Sequence, residues 1–218
     1  MHAIEQSSVG EMIADLGQRR TYAPGDLVFV EGDHSHNVYA TIEGRVRIFL
    51  TTPSGQELLI GIKTPGEEFG ELSALDGRPR SASASALDRT VVAELRAERF
   101  MQLLRDESHL SVSVCQCLSA ELRRANDRLV TRNSDSAAVR TGRMLVELTS
   151  MKMRHGGSAP TYDLSITQSD LAGWIGATRE STARALAHFR RAGLVQTNRG
   201  CITVLDVAGL SKLVNAAS

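Results

Sequence analysis

Short apolar runs separated by turn residues fill the chain from residue 21 to about residue 95. Pairs such as Pro24-Gly25, Glu43-Gly44 and Pro65-Gly66 interrupt them at close intervals. Runs this short between turns this regular are typical of many short β-strands. The pattern therefore predicts a sandwich or barrel-like roll, with strands at residues 27–30, 38–42, 46–50, 58–60 and 91–93.

Helical patterns flank and follow this region. Residues 9–16 form a short amphipathic stretch, a short helix is predicted at residues 99–104, and residues 106–130, which contain no Gly or Pro, predict one long helix. Apolar residues recur along it at steps of four, four, three and four, which is coiled-coil spacing. We expect this stripe to join two copies of the chain, while packing on its own domain is the alternative. The stripe consists of Val114, Leu118, Leu122, Ala125 and Leu129.

The charge is unevenly distributed although the net charge is zero. From Val139 onward there are ten Lys and Arg against five Asp and Glu, and before it fifteen against twenty. An acidic front and a basic back fit a sensor joined to an anion-binding module. No apolar run approaches the length of a membrane span, and Met1 is not followed by a signal-peptide pattern. The three cysteines do not indicate a disulfide framework, so we expect a cytoplasmic protein.

A helix-turn-helix is predicted in the basic part. Thr167, with Asp170 three residues later, has the pattern that begins a helix, and Gly176 supplies the turn. Thr178 then caps a second helix that ends near Ala192. A hairpin turning at residues 198–200 adds a wing, so this region predicts a winged helix-turn-helix.

The start of the second helix carries side chains that can read base edges. Arg179, Glu180 and Arg184 fall within an arc of roughly 140° on a helix. Arginine can bond guanine O6 and N7, and a carboxylate can accept from cytosine N4. An ordinary surface pair between Glu180 and Arg184 is the alternative. Hydroxyls and helix starts that could meet DNA phosphates are at Thr167, Gln168 and Thr178.

Residues 70–82 bring together the groups that a ribose phosphate needs. A ribose hydroxyl needs an acceptor, and a phosphate needs backbone N–H groups, a guanidinium and a hydroxyl. A Gly-Glu pair opens a predicted helical turn, and an Arg-Ser pair follows a Gly and Pro loop. The candidate ligand residues are Gly70, Glu71, Leu72, Arg80 and Ser81.

These two motifs, joined by a long helix, resemble the cyclic-AMP receptor protein (CRP/FNR) family of bacterial transcription regulators. The resemblance covers nearly the whole chain and implies an α+β fold with three parts. These are an N-terminal cyclic-nucleotide-binding β-roll at residues 1–105, a long dimerisation helix with its hinge at 106–136, and a C-terminal winged helix-turn-helix at 137–218. The resemblance implies a cytoplasmic homodimer that binds double-stranded DNA and no membrane, and RNA polymerase is an expected partner through residues 155–162.

The resemblance also assigns roles to residues of this chain. It implies that Glu71 accepts the ribose hydroxyl, that Gly70 and Leu72 offer backbone contacts, and that Arg80 and Ser81 hold the phosphate. Cyclic AMP is the first candidate ligand, and the Arg-Glu…Arg pattern is similar to that of regulators reading TGTGA-type palindromes. The base would lie near the long helix, where the family's Thr-Ser pair is replaced; the positions aligned there include Arg128, Leu129 and Thr131.

The sequence leaves three hypotheses about the function. The first is a regulator controlled by a cyclic nucleotide, and the second is a family member that needs no nucleotide or responds to a cyclic dinucleotide or haem. The third is a cyclic-nucleotide-processing enzyme, for which the sequence offers the acidic group Glu67, Glu68 and Glu71 and the histidines His34 and His36. Neither an activated nucleophile nor a full metal ligand set accompanies them, so we expect no enzyme and no metal.

Overall fold

The computed structural model describes residues 8–34, 36–156, 159–164 and 166–216, with their side chains except those of 127–134, 151 and 154–156. The chain divides into two compact units. The first runs to Arg124 but omits Gln56–Leu58, and the second comprises those three residues and the chain from Ala125 onward. No helix of the described residues is long and apolar enough to span a membrane.

Eight strands form the roll of the first unit. In chain order they are β1 (Gln18–Tyr22), β2 (Leu27–Phe29), β3 (Asn37–Glu43), β4 (Val46–Thr51), β5 (Glu57–Lys63), β6 (Glu68–Phe69), β7 (Ser83–Ala86) and β8 (Thr90–Arg96). They lie in two four-stranded sheets, ordered β1-β8-β3-β6 and β2-β7-β4-β5. Each strand predicted from the apolar runs is present, which confirms the roll.

The sequence pattern missed β1, β6 and β7. Most of β1 is exposed, and β6 has two residues, so neither shows an apolar run. The strand β7 alternates Ser and Ala, which have low strand propensity, yet all four residues are buried. Its hydroxyls are bonded, because Ser83 Oγ accepts from Glu31 N at 2.9 Å and Ser85 Oγ accepts from Arg47 Nε at 2.6 Å. Small bonded side chains thus allow a polar segment to be buried.

Four helices complete the part of the chain before the basic region. They are α1 (Val9–Leu16), α2 (Glu71–Asp76), α3 (Ala97–Asp106) and α4 (Ser108–Ser134). A capping box between Ser8 and Glu11 begins α1. The chain leaves helical geometry at Glu107, so the long helix begins two residues later than predicted. The main core lies between α1, β3, β8, α3 and the start of α4 and includes Ile13, Val38, Ala40, Ala93, Leu95, Phe100, Leu110 and Val114.

The apolar stripe predicted on α4 lies in two different environments. Val114 is buried and Leu118 packs beside it against the main core, whereas Leu122 is 63% exposed. The prediction of one continuous dimer stripe is therefore wrong for Val114 and Leu118, because the roll covers them. A different line of side chains is exposed along α4, with steps of three, four and three: Val112, Cys115, Ser119 and Leu122. We call these four residues the exposed α4 line. Three of them, Val112, Cys115 and Ser119, border an open groove of about 480 Å³.

The second unit is a helical domain with a small sheet. It contains α5 (Ala137–Gly156), β9 (Tyr162–Leu164), α6 (Gln168–Trp174), α7 (Arg179–Arg191), β10 (Val195–Asn198), β11 (Cys201–Val204) and α8 (Val207–Ala216). The sheet has the order β10-β11-β9, with antiparallel pairing. The hairpin of β10 and β11 turns at Arg199 and Gly200, as predicted, and confirms the wing. The tail of the chain adds α8.

Close packing of α5 against α7 and α8 forms the core of this unit. A Cβ at Gly142 would lie 2.3 Å from Val214 Cγ2 and 3.3 Å from Phe189 Cζ. Phe189, Leu145 and Leu210 are fully buried around this contact. The helix α7, which carries the candidate DNA-reading residues, is thereby packed against the core of this unit.

Candidate functional site: a ligand cradle and a DNA-reading helix

The segment 70–82 begins with a turn that only glycine fits. Gly70 has a φ of 77°, in the left-handed region. A Cβ there would lie 2.8 Å from Arg80 Nη1 and 3.2 Å from Phe29 Cε1. Both the backbone conformation and the space therefore require Gly70 at this turn, where the guanidinium of Arg80 passes beside it.

Arg80 is buried and bonds to the backbone of its own unit. The side chain is 2% exposed. Its Nη1 donates to Gly70 O and its Nη2 to Asn37 O, each at 2.5 Å. The guanidinium also bonds the Tyr39 hydroxyl and lies 4.2 Å from the Phe29 ring centroid. Burial lowers the pKa of Arg80, but a guanidinium stays charged in proteins. A buried cation needs such partners, so Arg80 fixes the Gly70 turn.

Glu71 begins α2 beside this turn and is also buried, with 6% of its surface exposed. Burial raises the pKa of Glu71, and the Lys63 ammonium opposes that rise. Electrostatic interaction with Glu71 in turn favours the charge of Arg80. The structure thus brings Gly70, Glu71 and Arg80 together at one turn, which we call the cradle; that these residues hold a ligand stays a prediction.

The remaining predicted ligand residues differ in their placement. Leu72 is 41% exposed on α2, and Ser81 is exposed just before β7, so its hydroxyl is open to solvent. The neighbouring Arg80 is buried, so the Arg80 side chain points into the unit and the Ser81 side chain points toward solvent. The side chains of Arg128, Leu129 and Thr131 lie outside the described residues, although their backbone belongs to α4.

A charged cluster behind Glu71 was not predicted from the sequence. Lys63, at the end of β5, bonds the Glu121 carboxylate of α4, and Glu68 of β6 lies in the same cluster. Burial, the largest single influence, opposes the charge of Lys63, but the carboxylates of Glu121, Glu71 and Glu68 together outweigh it and raise the pKa of Lys63. Burial and the neighbouring Glu68 carboxylate raise the pKa of Cys117 to about 11. Lys63 and Glu121 are 58 positions apart, so no spacing rule connects them.

The acidic residues on which the alternative of a cyclic-nucleotide-processing enzyme depends have structural partners. Glu67 accepts from the backbone N and the hydroxyl of Thr64, both at 2.7 Å. Glu68 is 7% exposed and bonds Cys117. Within the described residues, no group of three or more His, Cys, Asp and Glu could hold a metal ion.

The two helices of the predicted helix-turn-helix begin at their predicted caps. Thr167 and Asp170 form a capping box, and the Thr178 hydroxyl accepts from Ser181 N at 3.2 Å. Gly176, with a φ of 62°, makes the turn between α6 and α7. The Thr167 and Thr178 side chains are therefore occupied by capping, although both are exposed. Gln168 is half-buried at the first position of α6.

One face of α7 is buried and the other carries the candidate reading residues. Thr182, Ala185, Leu186 and Phe189 are buried, whereas Arg179, Glu180 and Arg184 are exposed. Among the ion pairs described for the chain, none joins Glu180 to Arg184. The alternative of a surface pair is therefore not what the structure presents. These three side chains are open to a partner.

Arg140 of α5 supports the helix-turn-helix and was not predicted. Its Nε donates to Ile175 O at 3.1 Å, and its Nη1 donates to Asp135 O at 2.8 Å. Ile175 is the C-cap of α6, and Asp135 lies two residues before the start of α5. One side chain therefore bridges the turn before α7 and the junction before α5. A lone Arg on an amphipathic helix gives no sequence signal for such a bridge.

Comparison with known proteins agrees with both halves of this site. The cyclic nucleotide-binding domain family matches residues 19–107, and the Crp-like helix-turn-helix domain family matches residues 139–213. The "Cyclic AMP receptor protein" of Thermus thermophilus is 32% identical over 196 residues, covering 90% of this chain and 88% of that protein. The "CRP-like cAMP-activated global transcriptional regulator" of Mycobacterium tuberculosis is 27% identical over 209 residues, covering 96% and 93%.

A solved structure shares the fold. The c-di-GMP-responsive global regulator CLP of Xanthomonas campestris superposes with a TM-score of 0.77 at 23% identity, covering 91% of this chain and 98% of that one.

A cyclic-nucleotide-binding roll and a winged helix-turn-helix in one chain define a DNA-binding transcription regulator and not an enzyme. The chain belongs to the CRP/FNR family of bacterial transcription regulators.

Proposed function

We propose that this regulator is a homodimer whose binding to DNA is controlled by a cyclic nucleotide, with cyclic AMP as the first ligand. The observation that carries the proposal is the buried cradle of Gly70, Glu71 and Arg80 in the same chain as the exposed Arg179, Glu180 and Arg184. One set can hold a ribose phosphate, and the other can enter a DNA groove.

The ligand would be held through its sugar and phosphate. The Glu71 carboxylate accepts the ribose hydroxyl, and the exposed Ser81 hydroxyl bonds the phosphate. Arg80 supplies the positive charge, and its bonds to Gly70 O and Asn37 O keep the turn shaped for the ligand. Leu72 adds backbone contact, and the base lies toward α4 near Arg128, Leu129 and Thr131.

The DNA half would read a TGTGA-type palindrome. Arg179 and Arg184 bond guanine edges and Glu180 accepts from cytosine, while Thr167, Gln168 and Thr178 lie where the phosphates pass. The regulator acts in the cytoplasm, where the DNA is, and recruits RNA polymerase through residues 155–162, part of which lies outside the described residues.

The dimer would form along the exposed α4 line. Val112, Cys115, Ser119 and Leu122 follow the three-four spacing of a coiled-coil seam, and Val112 and Leu122 are 56% and 63% exposed. Two copies joined there would present two α7 helices to successive major grooves, about 34 Å apart. The ligand controls DNA binding only if it prefers one of two arrangements of this dimer.

A fluorescent-operator titration tests ligand, DNA and coupling together. Binding of the full chain to a TGTGA palindrome and to a scrambled duplex is measured in moderate salt, with and without cyclic AMP. The proposal expects preference for the palindrome and tighter binding with cyclic AMP. Equal binding to both duplexes would refute the DNA half, and an unchanged affinity with cyclic AMP would refute the control.

A second candidate is a regulator that needs no nucleotide or answers to a different ligand. It is favoured by the bonds that Arg80 already makes to two carbonyls at 2.5 Å within the chain. The relative from Xanthomonas is described as responsive to c-di-GMP. Calorimetry with cyclic AMP, cyclic GMP and c-di-GMP separates the two candidates, because only a functional cradle gives heat with a cyclic mononucleotide.

A further inference from the structure

Lys63 connects four separate elements of the first unit. It ends β5, and its Nζ bonds Glu121 Oε1 of α4. The side chain of Lys63 is 16% exposed and that of Glu121 is 36% exposed. Glu71 of α2 and Glu68 of β6 also act on the Lys63 ammonium. The cluster therefore links the ligand cradle to the long helix.

The charges of this cluster do not balance. Three carboxylates, those of Glu68, Glu71 and Glu121, share the ammonium of Lys63, and two of them are almost fully buried. A second cation that interacts with Glu71 is Arg80, which is bound to the carbonyls of Gly70 and Asn37. Carboxylates that share one counter-ion affect each other, because each draws the ammonium away from the other.

We propose that Lys63 is a positioning residue whose single ammonium serves both Glu71, the ribose acceptor, and Glu121 of α4. The role at the ribose rests on the function proposed above. Lys63 holds Glu71 as a charged acceptor, and a ribose hydroxyl that bonds Glu71 changes the share of the ammonium left to Glu121. The state of the cradle thereby reaches α4 through one side chain.

Two substitutions are expected to move the titration of Glu71 in opposite directions. In K63M the positive charge of Lys63, which lowers the pKa of Glu71, is lost, so that pKa rises. In E121Q a like charge is lost and the ammonium is left to Glu71, so its pKa falls. A residue that only supported the packing would shift the pKa in one direction in both variants, or in neither.

Carbon-detected NMR of the full chain with labelled glutamate measures this titration without any ligand. The E71Q variant identifies the Glu71 resonance. K63R keeps the charge and should restore a value near that of the unsubstituted chain. R45M is the matched control, because Arg45 pairs with Asp88 at 2.7 Å in the same unit and is 18% exposed. Equal signs in K63M and E121Q, or a change as large in R45M, would overturn the proposal.

Cyclic AMP calorimetry between pH 5 and 8 adds the functional readout. K63M should bind more weakly, by up to about tenfold for each unit by which the pKa of Glu71 rises, at a pH below both titrations, and the loss should shrink as pH rises. E121Q should keep the affinity. If the unsubstituted chain gives no heat with cyclic AMP, the proposed ligand is wrong, and the signs of the NMR titration still decide the role of Lys63.

Discussion

Replacement of Arg80 by Met separates the structural role of this side chain from its role at the ligand. In the ligand-free chain the guanidinium bonds Gly70 O and Asn37 O at 2.5 Å each. Met has similar length but no donor, so both carbonyls would lose a buried partner, at a cost of about 1–3 kcal/mol each. The stacking on the Phe29 ring adds up to about 2 kcal/mol.

Part of this loss is recovered, because a buried cation no longer has to be desolvated. Breaking one side of a buried charged arrangement usually costs about 3–5 kcal/mol, and we expect R80M to lower the free energy of unfolding by that amount. Ser81 is the matched control, since it is the next residue and is exposed. S81A should change the free energy of unfolding by less than about 0.5 kcal/mol.

Urea unfolding of the ligand-free chain, followed by far-ultraviolet circular dichroism, measures both variants. The single Trp, Trp174, lies in the second unit, so its fluorescence reports on that unit in the same samples. Calorimetry should then show that S81A weakens cyclic AMP binding without the stability loss. If R80M unfolds within about 0.5 kcal/mol of the unsubstituted chain, the carbonyl bonds do not hold the Gly70 turn and the reasoning is refuted.

Three further outcomes can be measured. Mild oxidation should crosslink two chains through Cys115, which lies on the exposed α4 line. The C115S variant should lose the crosslink and the C117S variant should keep it. The reverse pattern would place the dimer seam elsewhere. Because burial raises the pKa of Glu71 above its ordinary value of 4.5, its ionisation costs stability as pH rises from 4.5 through the folded-state value. Urea unfolding between pH 4.5 and 7.5 should therefore show E71Q gaining stability relative to the unsubstituted chain as pH rises. If E71Q instead gains stability relative to that chain as pH falls, the raised pKa of Glu71 is contradicted. R184A should cost about 1–3 kcal/mol of operator binding. Arg191 is exposed at the end of the same helix, and R191A should weaken binding to the operator and to the scrambled duplex alike. Equal losses in both variants would show that Arg184 does not read bases.

Much of the fold could be predicted because its signals are local. Val38 and Val46 belong to apolar runs bounded by turn residues, and both lie in strands. The cap at Thr178 and the turn at Gly176 depend on a few neighbouring residues, so the start of α7 could be predicted without knowledge of the packing. The strand β7 was missed because Ser and Ala have no strong preference, and their burial depends on partners far along the chain.

The α4 stripe shows where periodicity is insufficient. Spacing alone makes Val114 and Leu122 equivalent members of one apolar line, but Val114 is buried against the roll and Leu122 is exposed. Only the position of the sheets decides which face of a helix is already covered. The dimer seam that we propose is therefore placed on the exposed α4 line, through Val112 and Cys115, and not on the stripe expected from the sequence.

The two modules and their chemical groups could be predicted from neighbouring residues, because a Gly-Glu turn, an Arg-Ser pair and a capped helix-turn-helix each consist of residues close together in the chain. Which of these groups are buried, which are exposed and what surrounds them depends on the packing. Arg80 turns inward onto two carbonyls while Ser81 stays exposed, and Lys63 bonds Glu121 and interacts electrostatically with Glu71. Burial and charge sharing are properties of residues that meet in space, and no local pattern records them.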